Sequence, residues 1–195
     1  TFTQGRFTPR PTDLAEVTEG LESTEPDGLP SVLPLRAVTP PQQGKPTALL
    51  ITDEDCRIED FDLAALDICA AATLTASHLR SPLTVAEAVT DFEMQALADT
   101  ATRAGVSSTA LSADHPDNLA KWAAQNGATQ IATPYVTRGP LQDWMTEAAP
   151  YLAQRGITLT EWQRDWDRAI WPYATAGFFK VKQQIPHILN QMVPA

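Results

Sequence analysis

The sequence holds one run of three consecutive acids, Asp53-Glu54-Asp55. It also holds one loop in which a hydroxyl, a guanidinium and a glycine precede a helix, Thr133-Pro134-Tyr135-Val136-Thr137-Arg138-Gly139-Pro140. The acids offer the carboxylate oxygens that a hard cation such as Mg²⁺ takes; a solvated acidic turn is the plain alternative. Thr137, Arg138 and the free N–H groups of the next helix would suit an anionic group. The plain alternative is a cap at Thr137 or Gly139 and a surface ion pair at Arg138. His78, His115 and His187 lack metal-ligand spacing, and no Gly-x-Ser-x-Gly elbow occurs, so nucleophilic catalysis has no motif here. Gly-x-Gly-x-x-Gly and phosphate-loop patterns are also missing, so FAD, dinucleotides and nucleoside triphosphates have no fingerprint in this chain. The stretch 162–180 holds three of the five tryptophans. It could stack on a ring-shaped ligand, or pack across a domain boundary where Trp and Tyr keep a polar edge wet.

These residues must be placed by an alternating pattern that begins at Pro46. Thr47–Thr52 is an apolar run ending in acids, as in a buried parallel strand. Ile68–Ser77, apolar and rich in small residues, could be strand or helix, and the loop-like His78–Pro82 after it favours a second strand; Thr84–Ala104 reads as a helix with Val85, Val89, Phe92, Leu97 and Ala101 on its apolar side. Ser108–Leu111 follows as a strand, Asp114–Asn126 as a helix, Ala128–Thr133 as a strand, Pro140–Gln154 as a helix and Ile157–Trp162 as a strand. Phe178–Met192 reads as a helix broken or kinked at Pro186. Alternating strands and helices predict an α/β fold: a five-stranded, mainly parallel sheet with helices on both faces. Ligands of such sheets bind beyond the carboxyl ends of the strands, where strand order reverses. Any small-molecule site is therefore expected among Asp53, Asp55, Tyr135, Thr137, Arg138 and Asp165. A stand-alone enzyme would use Asp53, Arg138 and Asp165 around a small anionic substrate.

The first 45 residues read differently. Eight of the 16 prolines fall within residues 1–46, and no sustained apolar period appears there. Residues 1–45 are expected to be a Pro-rich arm or inter-domain linker, with one short helix at Thr12–Glu16, and residues 46–195 the α/β domain. The chain begins with Thr, which suggests processing or a longer parent protein.

Composition narrows the partners. The 195 residues carry 14 Lys and Arg against 24 Asp and Glu, a net charge of −10, with 43% hydrophobic residues. That content supports a core and argues against wholesale disorder. The acidity argues against sequence-independent nucleic-acid binding by this chain alone, because phosphate affinity comes from Lys and Arg. No run of about 18 apolar residues occurs, so no membrane span is expected. Cys56 and Cys69 are too few for a disulfide framework or a four-ligand zinc site; they are expected as buried free thiols in a reducing cytoplasm.

In order along the chain, TALLITDEDC, RSPLTV, GATQIATPYVTRGPLQDW, GITLTEWQRDWD and WPYATAGFFKVKQQIP resemble the α/β domain of bacterial photolyase- and cryptochrome-related flavoproteins. The resemblance spans about residues 46–190. It implies a Rossmann-like domain joined by a long connection to a helical FAD-binding domain that lies outside this chain. By that resemblance the FAD, the chemistry and any DNA contact belong to the helical domain, and this chain would be the accessory half of a light-responsive protein. The family's opening strand leads into an Arg-Arg-Asp-Leu-Arg-like turn; here the stretch reads Ile51-Thr52-Asp53-Glu54-Asp55-Cys56-Arg57, which weakens the case for an antenna chromophore.

Overall fold

A computed structural model describes residues 34–175 and 177–192; the short helix expected at Thr12–Glu16 lies outside them. Five strands, β1 (Pro46–Thr52), β2 (Asp67–Thr75), β3 (Ser108–Ser112), β4 (Gln130–Pro134) and β5 (Thr158–Trp162), form a single sheet in the order β3-β2-β1-β4-β5. Every pairing is parallel, so the expected α/β sheet is present and parallel throughout. The chain winds outward from β1 to β3, returns, and winds outward again through β4 and β5. Strand order thus reverses between β1 and β4, which opens the crevice between their carboxyl ends.

The helices are α1 (Glu87–Arg103), α2 (Asp117–Gln125), α3 (Pro140–Gln154), α4 (Asp165–Ile170) and α5 (Phe178–Met192). Side chains alternate across β1, so Ala48 and Leu50 join the core under α2 and α3, with Leu119, Trp122, Leu141 and Trp144. Leu49 and Ile51 face the other way, against Leu97 and Ala101 of α1. Burial on both faces explains why β1 is a continuous apolar run. Between β1 and β2 the chain makes two short 3-10 turns, Ile58–Asp60 and Leu63–Ala65, instead of a crossover helix. Ile58, fully buried, fills part of the space beside α1.

Three local expectations need correction. The sheet-facing side of α1 is Glu93, Leu97, Thr100 and Ala101, while Val89 and Phe92 are 49% and 76% exposed. The helix is turned because the Glu93 carboxylate accepts the N–H groups of Ala76 (2.6 Å) and Ser77 (3.0 Å) and the Ser77 hydroxyl (2.6 Å). Those donors sit where β2 ends, and leaving them unpaired indoors would cost more than exposing one phenyl ring. Second, α5 runs through Pro186 as one helix; the missing N–H removes a single backbone bond on a largely solvated element. Third, Cys69 is exposed and Cys56 half-buried, both free. Cys69 is the extra residue of an irregularity in the β1–β2 register, where Thr47 pairs with Ile68 and Ala48 with Ala70. Its thiol turns toward the Thr47 carbonyl at 3.4 Å.

The α/β unit begins at Pro34, so the last residues of the Pro-rich arm are bound to it. The Gln130 amide exchanges two bonds with the backbone of Gln42 (3.0 and 2.7 Å), the Thr39 carbonyl accepts the Glu161 N–H (2.9 Å), and Arg36 reaches the end of β4.

Candidate functional site at the carboxyl edge of the sheet

The loops after β1, β4 and β5 bring the expected site residues to one edge and give most of them partners from this same chain. Asp53 accepts a bond from Arg80 Nη2 at 2.6 Å, while its Oδ1 is buried without a partner. Burial pushes the Asp53 carboxyl above the ordinary carboxylate range, and Arg80 pulls it partly back. Glu54 accepts the Thr137 hydroxyl at 2.7 Å, a bond that ties the β1 loop to the β4 loop across the crevice. Asp55 is held by Arg164, which also donates to Asp60 (3.0 Å) and to the Arg57 carbonyl (2.7 Å). The bonds to Asp55 and Asp60 raise the Arg164 pKa and keep the guanidinium charged.

The remaining expected residues separate. Tyr135 packs against Trp171 with ring centres 5.1 Å apart, and the Arg36 guanidinium lies 4.7 Å from the tyrosine ring centre. Arg138 donates to the Pro34 carbonyl at 3.1 Å. Asp165 lies at the start of α4, exposed and paired with Arg168. Asp53, Arg138 and Asp165 therefore each bind a different neighbour, and no bond joins any two of them. The tryptophans of the aromatic stretch divide likewise: Trp162 stacks on Phe61 at 5.1 Å, Trp171 meets Tyr135, and Trp166 is half-exposed on α4.

Two groups at this edge were not anticipated. Glu161 is buried on β5, where it accepts Arg36 through both guanidinium nitrogens and the Val136 N–H at 3.0 Å. A glutamate inside the apolar strand TLTEW was the available signal. Thr133, its register neighbour on β4, is fully buried, and its hydroxyl has no partner; the same holds for Thr52 at the end of β1. With Asp53 Oδ1 and Arg36 Nε, four of the five buried unpartnered side-chain atoms among the described residues lie at the ends of β1 and β4. Buried polar groups are normally satisfied, so this edge has unspent hydrogen-bonding capacity for water or a small polar guest.

Among the described residues no group of three or more His, Cys, Asp and Glu could hold a metal. His78 faces the Ala113 carbonyl at 3.1 Å and His115 packs on Tyr151. Among the described residues, no helix is long and apolar enough to cross a membrane. No protein-family model matches the sequence, and no curated protein matches it.

Proposed function

We propose that this chain is the accessory, non-catalytic α/β domain of a photolyase- or cryptochrome-like flavoprotein, with FAD carried by a helical domain outside it. The observation that carries this reading is the use made of the edge carboxylates. Asp53, Asp55 and Glu161 are each held by an arginine of the same chain, and Glu54 by Thr137, which supports a structural role for these acids. The segment that carries the family resemblance leaves Trp166, Phe178 and Phe179 exposed on α4 and α5, as a domain made to dock would. Light-driven DNA repair or blue-light sensing would then be the work of the assembled protein, with DNA meeting the helical domain only. The free thiols suit a reducing, cytoplasmic setting. The test is the protein encoded by the full reading frame: it should retain a flavin absorption band after desalting, while the isolated chain stays colourless. A colourless full-length protein sinks the proposal.

The second reading is a binding site for a small anionic ligand at the same edge, favoured by the unpartnered hydroxyls of Thr52 and Thr133 and the unpartnered Arg36 Nε. Titration with inorganic phosphate is its simplest probe. Arg138→Ala should weaken binding by about 1–3 kcal/mol, the scale of a lost charge-assisted bond. Unchanged affinity would remove this reading.

A further inference from the structure

We infer that the apolar slot between α4 and α5 is a docking groove for an acidic amphipathic helix of a partner protein. The inference rests on the reading of this chain as a docking domain, though not on the partner carrying flavin. The slot measures about 160 Å³ and is lined by Trp166, Ile170, Val181, Ile185, Ile188 and Leu189. Ile188 is buried at its floor, while Trp166, Ile185 and Leu189 remain 38–49% exposed at its mouth. A void of about 150 Å³ lined by aliphatic groups accepts a benzene ring, so this slot is the right size for one large apolar side chain. Phe178 and Phe179 extend the apolar surface beyond it at 65% and 74% exposure. Phe178, Lys182, Ile185 and Leu189 follow one another at spacings of four, three and four, a continuous stripe along α5.

Charge identifies the occupant. From Arg168 to the end of the chain there is no Asp or Glu; the basic side chains there are Arg168, Lys180, Lys182 and His187. The preceding 167 residues carry a net −13, so α5, which supplies four of the six lining residues, is free of carboxylates in an otherwise strongly acidic protein; the acids nearest in sequence to the slot, Asp165 and Asp167 beside Trp166, lie on α4, where Asp165 is paired with Arg168. Lys180 and Lys182 make no ion pair among the described residues. A partner that inserts an apolar anchor and lays carboxylates beside these lysines satisfies both features, in the helix-in-groove manner. An anionic bilayer fits less well, because a flat surface leaves the slot unfilled and the acidic body is repelled from it. A second copy fits less well too, because a two-fold contact through α5 would set lysines against lysines.

The experiment titrates the intact chain with a labelled synthetic helix of about 18 residues, five turns, with Leu and Phe on one stripe and Glu on its flanks. A sister peptide carries Lys in place of Glu. Saturable binding of the Glu peptide is expected, about tenfold weaker for the Lys peptide and for the Lys180→Glu/Lys182→Glu variant. That variant should in turn prefer the Lys peptide. Ile185→Asp should abolish binding while circular dichroism stays native, since Ile185 is partly exposed. Equal affinity for both peptides, or none for either, overturns the inference. So does co-sedimentation with phosphatidylserine vesicles in place of peptide binding, or a concentration-dependent dimer that Ile185→Asp dissolves. A flavin-free parent protein with intact peptide binding would remove the flavoprotein reading alone.

Discussion

Arg36 and Glu161 stand 125 residues apart in the chain and meet end-on at the top of β5, with Arg36 Nη2 2.7 Å from Glu161 Oε1. The pair fastens the segment before β1 to the outermost strand, and each member serves the β4 loop as well: Glu161 accepts the Val136 N–H and Arg36 donates to the Val136 carbonyl. The hydrogen bonds to Glu161 raise the Arg36 pKa, so the guanidinium stays charged.

Glu161→Ala is expected to lower stability by about 2–4 kcal/mol, because it strands a guanidinium and an N–H donor indoors. Arg36→Ala should cost a comparable amount, and the double variant should lose less than the two singles combined. Urea unfolding of the four proteins measures this. Additive losses would mean that the two side chains do not act together.

Glu93 and Ser77 form the corresponding joint on the other side of the sheet. Glu93→Ala removes the acceptor of three donors and should cost about 2–4 kcal/mol, whereas Ser77→Ala, which leaves both N–H bonds in place, should cost about 1 kcal/mol. Thermal melts distinguish them. Equal shifts would show that the backbone donors are satisfied in some other way.

Asp53 and Asp60 should give opposite pH signatures. Burial raises the Asp53 pKa, so ionising it costs stability once pH rises through the ordinary carboxylate value toward the raised folded one. Asp53→Asn should therefore gain relative to wild type as pH rises through that window, and match it in more acid solution. Hydrogen bonds from Arg57 and Arg164 lower the Asp60 pKa, so its contribution is present above the ordinary carboxylate value and is lost as pH falls through the lowered one. Asp60→Asn should accordingly be less stable at neutral pH, with the deficit closing in acid. Parallel profiles for the two variants would contradict this assignment.

The two thiols should react unequally in the native protein. Cys69 lies exposed beside the register irregularity of β2, and Cys56 is half-buried in the β1–β2 connection. An aromatic disulfide reagent should modify Cys69 first, without unfolding. Cys69→Ser should remove the fast phase and leave the slow one. A single slow phase that tracks unfolding would place both thiols inside.

The order of the five strands and of α1, α2, α3 and α5 was legible in the sequence because it depends on local quantities, whereas the short α4 was not. Apolar runs such as Ala48–Ile51, glycines after helices, and the spacing within Pro140–Gln154 each report on a few neighbouring residues, and all five strands fell where those patterns put them. That the loops after β1, β4 and β5 gather at one edge followed from topology alone, since parallel strands present their loops together. What the sequence could not determine was which charges meet. Asp53 with Arg80, Asp55 with Arg164, and Glu161 with Arg36 are pairs separated by 27, 109 and 125 residues, and nothing local selects one arginine over another. The tertiary structure also decided which side of α1 faces the sheet. Burying Glu93 against the backbone donors of Ala76 and Ser77 outweighs burying Phe92, a balance that exists only once β2 has ended beside the helix. Hydrophobic periodicity registers how much apolar surface an element has; the direction in which it turns is settled by the polar groups that have no other partner.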